Sequence, residues 1–248
     1  MLNGEPRYGD LFGITTAVAD YEVLLAAIEA IPPPVRLAYA HFDILLHCIE
    51  NATLRDQLRL YSMVYVDGVG ARLAFRLLHG RPVAAINATD LHHRLLSSLA
   101  VDGKRVALIG GHPNASERLM REIVALGFAA DRVLVQHGFN EIDDRERLEE
   151  LKLFHPDAIF LGMGTPKQFD WIQTHRDANF APLIVATGGF LDFVAGSHRR
   201  APMWMRATRI EWIYRLLLEP TRLWKRYLIG IPRFLISLMY EWIRRPRR

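Results

Sequence analysis

The stretch IFLGMGTPKQFDWI, residues 159–172, decides how the whole chain is read. An apolar run ends at Gly162-Met163-Gly164 and passes through Thr165-Pro166. At Lys167-Gln168 it opens a helix-like pattern. This is a strand, a tight turn and a helix start. Glycine lets a backbone approach a ligand closely, and a helix N-terminus presents free N–H groups to an anion. Pro166 suits a first helical turn, where its missing N–H costs nothing. Working outward, three other apolar runs end in similar turns: YVDGVG at 65–70, LIGGHP at 108–113 and VATGGFLDF at 185–193. Taken singly, each turn reads first as a tight connection needing positive φ. Four of them in a sheet whose ligands bind beyond the carboxyl ends of its strands belong on one rim.

The runs around these turns predict strands at Val35–Ala40, Met63–Val66, Val106–Ile109, Val133–His137, Ala158–Leu161 and Leu183–Ala186. Helical patterns lie between them, over 18–30, 43–50, 54–61, 71–79, 91–100, 115–126, 145–154 and 167–175. Alternation of this kind predicts an α/β fold, a mostly parallel sheet with helices on both faces. Ile31-Pro32-Pro33-Pro34 reads as a loop. Past Gly196 the strand signal stops. Residues 1–196 therefore read as an α/β domain whose rim suits a nucleotide-type ligand. Residues 197–248 read as a helical appendage, broken at Pro220 and Pro232.

The 248 residues are half hydrophobic, enough for a sizeable core. The lone cysteine, Cys48, excludes an intrachain disulfide and suits a reducing cytoplasm. The N-terminus does not read as a secretory signal, and no apolar run is long enough to span a bilayer. Charge is unevenly placed. Residues 206–248 hold eleven Arg or Lys against three Glu, a net of +8, leaving −4 on the other 205 residues. Arginine interleaved with Trp, Leu, Ile and Phe suits an anionic lipid interface better than a nucleic-acid track. On helical spacing, Trp212, Leu216, Leu223, Tyr227, Phe234, Leu238 and Trp242 are the expected interfacial anchors. The tail is expected to be removable with the body still folded.

Asp67 is the leading candidate for chemistry. It ends an apolar run and precedes Gly68 and Gly70, so it projects from a strand end toward the rim. There it could accept a proton from a hydroxyl nucleophile. An Asp that caps the next helix reads equally well. Asp192, just after Gly188-Gly189, could contact a sugar hydroxyl or begin a helix. Lys167 could neutralise phosphate and Gln168 could read an amide or hydroxyl; both also fit a solvated first turn. Neither a metal-ligand cluster nor a HExxH motif occurs, so no metal and no cofactor are expected. A nucleophile elbow, a G-x-G-x-x-G turn and a Walker A sequence are missing too.

The ordered set YVDGVG, LIGGHP, GMGTPKQ, GGFLDFVAGSHRRAP and RIEWIYRLLLEPTRLWKRYL strongly resembles the WecG/TagA/CpsF family of bacterial glycosyltransferases, glycosyltransferase family 26. The match runs from about Tyr65 to Tyr227. The resemblance implies a metal-independent, inverting transfer from a UDP-sugar. The acceptor would be a polyprenyl-diphosphate-linked glycan at the cytoplasmic membrane face. Donors in the family include N-acetylmannosamine, its uronic acid and glucuronic acid. The resemblance makes Asp67 the general base and Gln168 a site residue, and maps tail arginines onto Arg200, Arg206 or Arg209, Arg215 and Arg222. It places Gly68, Asp90, Gly110, Gly111, Gly162, Gly164, Thr165, Gly188, Gly189 and Asp192 on the substrate side.

Four positions depart from the family pattern. Tyr39 and His41 stand where Thr and Asn are usual, Ala85 where Arg is usual, and Phe169 where Glu is usual. All are expected near donor or acceptor. Tyr39 and His41 are expected to touch one of the two, with a protonated His41 able to pair with a uronic acid. Other readings stay open: another nucleotide-dependent α/β enzyme such as an oxidoreductase, a binding or scaffold protein that kept the fold, or a homo-oligomer.

Overall fold

The computed structural model describes residues 4–84, 86–138, 145–196, 202, 205 and 211–245. Eight strands form one sheet in the order β1-β2-β4-β3-β8-β7-β5-β6. The six strands expected from sequence are β3 (Val35–Ala40), β4 (Met63–Val66), β5 (Val106–Gly110), β6 (Val133–Gln136), β7 (Ala158–Gly162) and β8 (Leu183–Ala186), and they run parallel. Every residue of β5 and β7 is buried, as a parallel sheet covered on both faces requires.

Alternate residues of the strands feed two cores. Leu37, Tyr65, Leu108, Phe160 and Val185 face α1 (Tyr21–Glu29), α5 (Ala88–Val101), α6 (Ser116–Ala125) and α9 (Phe190–Val194). Ala38, Val64, Ile109, Ile159 and Ala186 face the opposite layer. That layer holds α2 (Phe42–Glu50), α3 (Ala52–Arg59), α4 (Gly68–His79), α7 (Arg145–Phe154) and α8 (Lys167–Thr174).

The sheet begins with a hairpin that the sequence reading did not contain. β1 (Arg7–Leu11) and β2 (Ile14–Val18) are antiparallel, and β2 joins β4 through Ala17 and Tyr65. The turn is Phe12-Gly13, both at positive φ (55° and 83°), with the Gly13 N–H on Asp10 Oδ1 at 3.1 Å. Two-residue hairpins of this hand favour Asn or Asp first. A phenylalanine there hides the signal, and its ring packs on Phe234 instead. Val18, expected in a helix, ends β2. The helix starts after Asp20, whose carboxylate accepts the Val23 N–H at 3.0 Å.

The C-terminal elements are α10 (Glu211–Leu218), α11 (Pro220–Trp224), a π-helical segment (Lys225–Ile229) and α12 (Gly230–Arg244). Pro220 opens α11, so a break there is real. Pro232 breaks nothing: it sits in the first turn of α12, directly after the wider π turn, where a missing N–H is accommodated. Leu223, Tyr227, Phe234 and Leu238 are buried against the body. Phe234 meets Phe42 and Phe12, and Arg245 reaches Asp10. These four are core residues, not interfacial anchors, and deleting residues 223–248 would strip the cover from Phe42. Two of the expected anchors, Trp212 and Trp242, are exposed, together with Trp224, Leu228, Leu235, Ile236, Met239, Tyr240 and Ile243. Among the described residues no helix is long and apolar enough to cross a membrane.

Candidate active site

The two halves of the chain meet where β3 pairs with β8. In open parallel sheets such a seam opens a crevice beyond the strand ends. Tyr39 crosses it: its hydroxyl lies directly over Gly188, which at φ 58° has no Cβ to obstruct it. Burial, helped by the Asp67 and Asp43 charges and offset by Arg226 and Arg215, pushes the Tyr39 phenol up to about 12.

Ala40 pairs with Val66, so the next residues, His41 and Asp67, leave the sheet side by side. Asp67 precedes α4, yet its side chain makes no cap bond to that helix. Its Oδ1 instead accepts the N–H of Ala88, the first residue of α5, at 2.8 Å. The carboxylate thus sits on the amino end of a different helix, which fixes its orientation and stabilises its negative charge. Asp90 lies in the first turn of the same helix. His41 is the N-cap of α2, and its Nδ1 accepts from Arg226 Nη2 at 3.2 Å and, more loosely, from the Asp43 N–H at 3.5 Å. Its Nε2 edge lies against Gly68. Burial, then Arg226 and Arg215, hold the His41 ring well below the ordinary histidine range. His41 is therefore neutral, and the expected pairing of a protonated His41 with a uronic acid is not available.

The other half of the rim is made of backbone. A Cβ on Gly110 would lie 2.5 Å from the Gly162 carbonyl, and one on Gly162 would meet Leu191 and the Gly188 oxygen. At these positions, and at Gly68 against His41, the missing side chain is accounted for by close packing of strand ends. Gln168 is likewise turned inward. It is fully buried, and its Oε1 accepts the Gly188 N–H at 2.9 Å, so it holds the seam turn. Phe169 is core, edge-on to Tyr61, and has no place near a substrate. Gly164 and Gly189 have nothing within 4 Å of a virtual Cβ. Lys167 is exposed and Thr165 half-buried at the amino end of α8, while Gly111 lies beside Asp192. Gly164, Thr165, Lys167, Gly189, Gly111 and Asp192 are the expected residues that remain open to a ligand here.

Cationic charge arrives from the C-terminal elements. Arg215 lies over the Phe193 ring at 4.4 Å. Arg226, which the sequence reading did not single out, pairs with Asp43 at 3.2 Å as well as with His41. Its place in KRY after two tryptophan-containing turns was the only sequence signal. Arg200, Arg206, Arg209 and Ala85 lie outside the described residues, as does the Arg222 side chain. Among the described residues no group of three His, Cys, Asp or Glu could hold a metal ion.

The geometry thus brings together one oriented carboxylate, a neutral histidine, two uncrowded glycine turns and two arginines. Comparison with known proteins agrees with it. The family model described as Glycosyl transferase WecG/TagA/CpsF family matches residues 10–248. An N-acetylglucosaminyldiphosphoundecaprenol N-acetyl-beta-D-mannosaminyltransferase of Staphylococcus aureus (strain NCTC 8325 / PS 47) is 33% identical over 205 residues, covering 80% of this chain and 77% of the relative. The enzyme of the same name from strain MRSA252 is 32% identical over the same length.

Proposed function

Because the chain belongs to the WecG/TagA/CpsF family of glycosyltransferases, we propose that it transfers N-acetylmannosamine, with inversion, from its UDP donor to a polyprenyl-diphosphate-linked N-acetylglucosamine during surface polysaccharide assembly. The observation that carries this reading is the placement of Asp67 beside His41, with Arg226 on the far side of the ring. Asp67 takes the proton of the acceptor hydroxyl as that oxygen attacks the anomeric carbon and the bond to UDP breaks. Departing UDP carries growing negative charge, which Arg215, Arg226 and the N–H groups of the Gly164 and Gly189 turns offset without a metal. The names of the relatives support N-acetylmannosamine, and the neutral His41 removes the argument for a uronic acid. Tyr39 and Asp192 face donor or acceptor across the seam.

The outward apolar face of α11 and α12, flanked by Lys225 and Arg244, supports a peripheral seat on the anionic cytoplasmic face of the membrane. Under this proposal the crevice works at the surface that presents the lipid-linked acceptor. The test is a panel of UDP-sugars with a short-chain prenyl-diphosphate N-acetylglucosamine acceptor, read by mass. UDP-N-acetylmannosamine should give the adduct; no adduct with any donor would overturn the reading. Ile236→Glu with Ile243→Glu should lower co-sedimentation with anionic vesicles several-fold, and equal sedimentation would refute the membrane seat.

A further inference from the structure

We infer that Tyr21 is a positioning residue for Asp67, acting through the amino end of α5. The inference rests on the reading of Asp67 as the base and goes beyond it. Tyr21 opens α1 at the carboxyl end of β2, in the hairpin half of the sheet. Its hydroxyl oxygen accepts the backbone N–H of Asn87 at 3.0 Å. The very next N–H, that of Ala88, is donated to Asp67 Oδ1 at 2.8 Å, and the next again, Thr89, to the Asn87 side chain at 2.9 Å. Consecutive donors of one helix start are thus held by side chains from two different strand ends, β2 and β4.

This arrangement has a consequence for the carboxylate. The segment before α5 leaves α4 at Gly80, in the left-handed region, and is tied back by Arg72 to the Val83 carbonyl. The Tyr21 bond is the tie next to the donor that Asp67 uses. The two peptide planes are joined through φ and ψ of Asn87 (−115° and 124°), and with the Asn87 side chain held by the Thr89 N–H, the Tyr21 bond restricts those two dihedrals and with them the direction of the Ala88 N–H. That direction sets how strongly the carboxylate is stabilised, and so its basicity and its aim. The charged and titratable groups facing this corner are Asp90 and Arg94 on α5, Tyr65 on β4, and Tyr39 and His41 at the end of β3. Burial, partly offset by the Asn87 N–H, raises the Tyr21 phenol, so it stays protonated wherever Asp67 works.

The experiment is a double-mutant cycle on the full chain, with Tyr21→Phe, Asp67→Asn and both together, assayed with UDP-N-acetylmannosamine and the prenyl-diphosphate acceptor. Tyr21→Phe should lower kcat about tenfold and leave the donor KM within about twofold, as expected for a displaced reacting group. The acid limb of its pH–rate profile should move to higher pH, because the carboxylate loses part of a bond that favours its charged form. In the Asp67→Asn background the same change should cost nothing further. Amide hydrogen exchange gives a readout free of turnover: Asn87 and Ala88 should both exchange faster in Tyr21→Phe. An equal loss in both backgrounds, or an unmoved acid limb with unchanged Ala88 exchange, overturns the inference alone. Full turnover in Asp67→Asn overturns the base assignment, and the inference falls with it.

Discussion

The two halves of the rim use the same kind of strand end for different purposes. Around β5, β7 and β8, side chains are removed: Gly110, Gly162 and Gly188 let backbones and the Tyr39 hydroxyl come close, and Gln168 holds the Gly188 N–H. Around β2, β3 and β4, side chains converge: Tyr21, His41 and Asp67, with Arg226 reaching in from the C-terminal elements. The first half builds a shape, and the second holds the residues proposed for the chemistry. A glycine is therefore no guide to ligand contact until its neighbours are known, whereas a polar side chain at a strand end is informative from the start.

Asp67→Asn tests the chemical half most severely. The amide still accepts the Ala88 N–H but takes no proton, so turnover should fall about 10²–10⁴-fold with UDP affinity and melting temperature close to the parent. Turnover within a few-fold of the parent would make Asp67 structural and erase the contrast between the halves. The shape half is tested by a pair. Gly110→Ala puts a methyl into the Gly162 backbone and should cost about 3 kcal/mol or more, visible as a large loss of chemical stability. Gly189→Ala meets no atom within 4 Å and should leave stability within about 0.5 kcal/mol while weakening UDP binding. Equal stability in the two variants would show that the strand ends are not packed as described.

Phe234→Ala addresses the dependence of the chemical half on the C-terminal elements. The ring is buried between Phe42 and Phe12, and its loss should cost about 3–5 kcal/mol in unfolding by denaturant. A loss below 1 kcal/mol would mean that α12 does not cover the body. A last effect is one of pH. His92 lies under the seam, 1% exposed, with Nε2 2.6 Å from the Tyr65 hydroxyl, and burial pushes it down to about 3. The unfolded chain binds a proton there below about pH 6.5 and the folded chain does not. Its contribution is therefore complete above that pH and is lost as pH falls from about 6.5 toward 3, by at most about 1.4 kcal/mol per unit. His92→Asn should flatten the stability profile across that window, and an unchanged slope would refute the assignment.

Much of this was legible in the residues. The six parallel strands carry apolar runs that any buried parallel strand needs, and Asp67 stands at the end of one of them. The family resemblance rested on local motifs, and local motifs survive in a linear reading. The β1-β2 hairpin did not, because Phe12 occupies a turn position where the usual residue would be Asn, and only its contact with Phe234 explains the choice. Tyr21 gave no signal, and Arg226 read only as one of the tail's basic residues. Each acts on a partner far away in sequence, Asn87 in one case and His41 in the other.

The sequence by itself determined the fold class, the strand ends and the place of Asp67 at one of them, because periodicity and turn chemistry are properties of neighbouring residues. Tertiary structure alone decided which glycines are packed and which are open, that His41 is neutral, and that the tail's buried stripe is Leu223, Tyr227, Phe234 and Leu238 while Ile236 and Ile243 face outward. Those outcomes depend on which surfaces meet across the sheet and on the desolvation that follows, and neither is encoded in spacing along one strand or one helix.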